Sequence, residues 1–126
     1  MDSIYLICYG DSEENVRKSF EKGIIGSNNN VRIPEGQLIY LIVKRNGEWT
    51  VVGKANIDAA TLDNPFDKPN RFRTYTIKNL VKCEPYSISA ICKSELGDRY
   101  GLVLRSPQSI SAPNFTKYLA DNFKAN

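Results

Sequence analysis

Between residues 68 and 105 lie eight Lys/Arg and three Asp/Glu, whereas residues 1–67 hold seven basic and ten acidic side chains. A net charge of +3 therefore conceals a basic segment, and a polyanion responds to where charge is clustered rather than to its average. Arg71, Arg73, Lys78, Lys82 and Arg105 form this footprint. The competing reading is that they only solvate strand surfaces. The chain has no histidine, so the commonest general base and the commonest metal ligand are absent. Cys8, Cys83 and Cys92 lack metal-ligand spacing and read as small buried groups in a reducing compartment. Asp11 and Glu14 form no convincing catalytic dyad, and there is no P-loop, dinucleotide-binding glycine fingerprint or nucleophile elbow. The residues predict a binding protein, not an enzyme, with no cofactor and no metal.

These groups must be carried by one compact core, since 126 residues suit a single domain spanning 1–126. Ser3 to Tyr9 reads as a buried strand. Asp11 stands where a helix N-cap belongs, with Glu14 three residues on, and Val16 and Phe20 share a face up to the stop at Gly23, which predicts a helix over residues 12–22. Ile24 to Ser27 reads as an apolar plug leading into a polar loop. Gln37 to Val43 is the strongest strand signal and suggests burial on both faces. It turns at Asn46-Gly47 into a return strand from Glu48 to Ile57, with a bulge at Gly53. Asp58 to Arg71 is predicted to be a long loop. Phe72 to Val81 and Tyr100 to Arg105 read as further strands, Ser87 to Cys92 as a short apolar strand or half-turn, and Pro113 to Phe123 as a helix. The order β-α-β-β-loop-β-β-β-α predicts an α+β fold, a curved mixed sheet or small open barrel with flanking helices. No apolar run is long enough to span a bilayer. The start, Met1-Asp2-Ser3-Ile4-Tyr5, does not resemble a signal peptide, so a cytoplasmic protein is expected.

Taken in order, Glu14-Asn15-Val16, Lys22 to Ser27, the strand Gln37 to Val43 with its Asn46-Gly47 turn, Phe72 to Ile77 and Leu104 to Gln108 resemble a YTH domain and its prokaryotic EVE-like relatives in the PUA-like superfamily. The resemblance runs from about Tyr5 to the C-terminal helix. It implies a PUA-like fold that binds nucleic acid, DNA or RNA, and encloses one flipped or single-stranded base, typically N6-methyladenine. It also implies kinship with modules fused to modification-dependent restriction machinery, with a nuclease or NTPase as partner.

By that resemblance Asn15 matches a residue that bonds the base edge, a role suited to an amide with both a donor and an acceptor. Gly26 and Ser27 match backbone lying against the base. Ile25 departs from the pattern, standing where the family has a Trp that walls an aromatic cage. Phe66, in the long loop, and Tyr9, beside the helix cap, are candidates for the stacking wall, and Asp11 completes the pocket set. Phe66 either meets a partner from an exposed loop or tucks that loop onto the core. Arg105 matches a phosphate contact that Arg71, Arg73, Lys78 and Lys82 would extend. Two other readings fit the same residues: a PUA-like RNA-binding domain without modified-base specificity, and a protein-interaction domain docking through the Phe66 loop.

Overall fold

The computed structural model describes residues 4–27, 32–66, 73–100, 109–110 and 112–126. The elements are β1 (Ile4–Cys8), α1 (Glu13–Lys22), β2 (Ile24–Ser27), β3 (Leu38–Arg45), β4 (Glu48–Thr61), β5 (Arg73–Ser87), α2 (Ser89–Leu96), β6 (Ser109–Ile110) and α3 (Pro113–Asp121). They form a mixed six-stranded sheet in the order β2-β5-β4-β3-β1-β6. Among the described residues only β1 and β3 run parallel, and the other pairs are antiparallel.

The predicted helix, its stop, the hairpin and the C-terminal helix are all present, with one change at the first cap. The chain turns through Gly10, whose φ is +61°, and the Ser12 N–H bonds the Tyr9 carbonyl at 3.1 Å. That turn absorbs Asp11 and leaves Ser12 extended, so Ser12, not Asp11, caps α1 by accepting the Asn15 N–H at 3.2 Å. At the far end Gly23 adopts the left-handed conformation and bonds back to Ser19.

β3 is buried on both faces, as its apolar run requires. Tyr40 and Ile42 join a core beneath α2 and α3, whereas Ile39, Leu41 and Val43 join a second core beneath α1. Each buried aliphatic side chain contributes roughly 1.5–3 kcal/mol. The long strands bend because their ladders slip. Register shifts fall between Val51 and Gly53, Lys54 and Asn56, and Ile57 and Ala59. Each such bulge adds twist and curvature, and the curled sheet brings β2 close to β1 in a half-barrel.

Several sequence expectations change. β4 continues to Thr61 and β5 to Ser87, so the predicted loop from Asp58 begins only after Thr61. Ile24 to Ser27 is an edge strand paired with Arg73 to Thr76, not a plug. Ser87 to Cys92 is no strand. Ile88 and Cys92, four residues apart, are both fully buried, and Ser89–Leu96 is helical. The short β6 escaped the sequence pattern and pairs with Ile4 and Tyr5. The predicted strand over Tyr100 to Arg105 lies, beyond Tyr100, outside the described residues.

Candidate nucleic-acid interface

The opening turn of α1 is fixed from three sides. The Lys44 N–H bonds the Gly10 carbonyl at 2.6 Å, Ser12 caps the helix, and Arg45 grips Glu13 through two hydrogen bonds of 2.6 and 2.8 Å. The bond from Arg45 holds the Glu13 carboxyl below its usual pKa range, and it occupies Arg45. On this rigid turn Asn15 is half-buried, and its side-chain amide has no hydrogen-bond partner among the described residues. An amide held in place with free donor and acceptor sites is suited to reading an adenine-like edge. Asp11 sits exposed in the preceding turn. Tyr9 is committed elsewhere: its hydroxyl donates to the buried Ser19 Oγ at 2.7 Å, its ring packs on the core beneath α1, and burial pushes its phenol well up.

On β2, Gly26 pairs with Thr74 and Ser27 with Arg73. Gly26 is half-buried and Ser27 buried. Ile25 does not face a pocket mouth. It is 0% exposed, pairs with Tyr75, and shares a core with Val16, Ile39 and Leu41. Phe66 is not an exposed loop aromatic either. It is 5% exposed, in a turn where its N–H bonds the Asn64 Oδ1 at 3.0 Å. Neither residue presents a free ring face at the surface, and Ile25 has none to present.

Three members of the basic footprint, Arg73, Lys78 and Lys82, lie on β5. Lys78 and Lys82 are exposed, the latter with its ammonium 5.0 Å from the Phe20 ring centroid. Arg73 opens the strand, nine residues before Lys82, a reach of about 30 Å at strand geometry. Arg71 and Arg105 lie outside the described residues.

One open pocket of about 310 Å³ lies at the start of β5, lined by Ala60 to Leu62, Asn64 and Arg73 to Tyr75. Of the sequence-predicted site residues that are described, only Arg73 lines it. Thr61, Leu62 and Asn64 escaped the sequence reading because their segment was expected to be loop from Asp58 onward. A lone leucine between Thr61 and Asp63 was the available signal. Among the described residues no cluster of His, Cys, Asp and Glu could hold a metal ion, and no helix is long and apolar enough to cross a membrane.

The sequence matches no protein-family model and no curated protein. Solved structures do match. A variant of the ASCH protein of Zymomonas mobilis superposes with a TM-score of 0.66 at 12% identity, over 95% of this chain and 98% of that one. The Mmi1 YTH domain in complex with RNA gives 0.64 at 14% identity, over 94% of this chain and 76% of that one. The YTH domain of Zygosaccharomyces rouxii MRB1, in complex with N6-methyladenosine RNA, gives 0.63 at 20% identity, over 98% of this chain and 87% of that one. At such identities the likeness speaks to architecture, and the chain has the PUA-like α+β fold that YTH and ASCH domains share.

Proposed function

We propose that this chain is a nucleic-acid-binding module that encloses one base, favouring a methylated, N6-methyladenine-like one, and that it acts by equilibrium recognition without making or breaking bonds. The observation that carries the reading is the unpartnered Asn15 amide on the braced first turn of α1, in a fold whose solved relatives include two YTH domains holding RNA. Gly26 offers a backbone without a side chain in the way, and the β5 cations supply a path for phosphates. A nuclease or NTPase, the partner that the sequence resemblance implies, would act on what such a reader retains.

Burying one methyl group against apolar walls favours the modified base by roughly 0.8 kcal/mol, about fourfold in affinity. The burial of Ile25 removes the expected wall and favours a second reading, a PUA-like RNA-binding domain that reads an unmodified base. Titrating single- and double-stranded oligonucleotides, with and without N6-methyladenine, separates the two. Equal affinity for both forms selects the second reading. Binding that ignores salt rejects both, because phosphate neutralisation releases counterions, and leaves a protein-docking domain.

Asn15→Ala is expected to weaken oligonucleotide binding about tenfold, within the range for one bidentate base contact. The melting temperature should hold, since the cap uses the Asn15 backbone and not its side chain. An affinity equal to wild type in a folded variant would remove Asn15 from the site.

A further inference from the structure

The pocket between the end of β4 and the start of β5 is not the place where Asn15 sits, and its chemistry is distinct. Among the described residues its charged member is Arg73, and no carboxylate lines it. Asp63, between two lining residues, is exposed and outside the lining, while Asp58 accepts from the Thr76 hydroxyl at 3.2 Å. The Arg73 Nε is withdrawn from solvent and has no hydrogen-bond partner among the described residues. A buried donor left unpaired is costly, and a guanidinium offers a planar fork of donors that suits a phosphate. Beside this cation stands Leu62, fully exposed, the one exposed large hydrophobic side chain among the described residues. Asn64 adds an amide at the same rim.

A cation with an unsatisfied donor, next to a bare apolar side chain and an amide, matches the three parts of a nucleotide: phosphate, sugar or base face, and base edge. The volume of about 310 Å³ falls at the small end for ligand sites. The floor is rigid, because the Thr74 hydroxyl donates to the Thr61 carbonyl at 2.9 Å across the β4–β5 ladder. β5 lines this pocket through Arg73 to Tyr75 and on its other side pairs with Gly26 and Ser27, so the pocket wall stands one strand spacing, about 5 Å, from β2.

We propose that this pocket is a second subsite, which takes the nucleotide neighbouring the enclosed base, with its phosphate on Arg73 and its sugar or base against Leu62. The proposal rests on the nucleic-acid reading above. It makes the pocket a determinant of strand path and flanking-nucleotide preference.

The test compares the full chain with its Arg73→Gln and Leu62→Ser variants, each shown to be folded by its melting temperature. Each is titrated with a mononucleotide and with a single-stranded oligonucleotide at several salt concentrations. The oligonucleotide should bind Arg73→Gln about tenfold more weakly, with a salt slope flatter by about one unit. Leu62→Ser, a surface change that cannot disturb the core, should weaken it severalfold at unchanged slope. Mononucleotide binding should be the same in all three. Oligonucleotide affinities equal to wild type in both variants would overturn the subsite and leave the nucleic-acid reading standing. Equal losses for mononucleotide and oligonucleotide would also overturn it, by making this pocket the primary site. A wild-type chain that binds no oligonucleotide would overturn the nucleic-acid reading itself, and the subsite with it.

Discussion

Ile25→Trp is expected to lower the melting temperature and to bring no gain in affinity for a methylated base. In the YTH-like pattern a tryptophan at this position walls the base, so restoring it would tighten binding by about 1 kcal/mol if position 25 faced the pocket. The fold places it otherwise. Ile25 is fully buried on an edge strand, paired with Tyr75 and packed among Val16, Ile39 and Leu41. An indole there must displace the α1 side of the core or push β2 off β5, and overpacking of this kind costs about 1–3 kcal/mol. At roughly 4 °C for each kcal/mol in a domain of this size, thermal unfolding reads the loss directly. A variant with an unchanged melting point and tighter binding to N6-methyladenine would show that the strand rotates to present position 25, and would restore the aromatic-cage reading.

Gly53→Ala should be about as damaging, for a different reason. A Cβ built at position 53 meets the Val81 carbonyl oxygen at 2.9 Å and the Phe20 ring at 3.0 Å. The carbonyl belongs to the β5 backbone and cannot step aside cheaply. The ring anchors α1 on the sheet, beneath the Lys82 ammonium. The expected cost is again about 1–3 kcal/mol, read from the midpoint of denaturant unfolding. Because Phe20 and Asn15 share α1, oligonucleotide affinity should fall along with stability. Adding Phe20→Leu should return part of both by making room on one side. An unchanged midpoint for Gly53→Ala would mean that the bulge relaxes freely and does not position the helix.

The parts of this architecture that the sequence disclosed are those written in local terms. Gly23 stops α1, Asn46-Gly47 turns the hairpin, and the unbroken apolar run of β3 declares burial on both faces. Gly53 announced the first of the bulges. Ser12 took the cap from Asp11 because of a turn one residue earlier, a difference too fine for side-chain type alone. Position was harder to read wherever a partner far along the chain decides it. Ile25 and Phe66 are apolar residues beside polar stretches, and nothing nearby distinguishes a pocket wall from a core residue. Tyr75, which covers Ile25, comes from β5. The length of β4 was hidden because bulges interrupt the alternation that reveals a strand. α2 was hidden because Ser87 to Cys92 has the composition of a strand, and only the burial of Ile88 together with Cys92 shows its helical period. Asn15 could be placed on the first turn of α1 from the helix signals alone.

β1 is the first strand of the chain and lies deep in the sheet, between β3 and β6. Its outer side is covered, among the described residues, by only Ser109 and Ile110, opposite Tyr5 and Ile4. During synthesis the apolar stretch Ile4–Cys8 can pair with β3 early, but its second edge waits for Ser109 and Ile110, far along the chain. Such separated pairings fold slowly, and an uncovered apolar edge is a template for another chain's strand. The pairing of Ser109 and Ile110 is thus what closes, among the described residues, the edge through which β1 would otherwise add to the sheet of another copy.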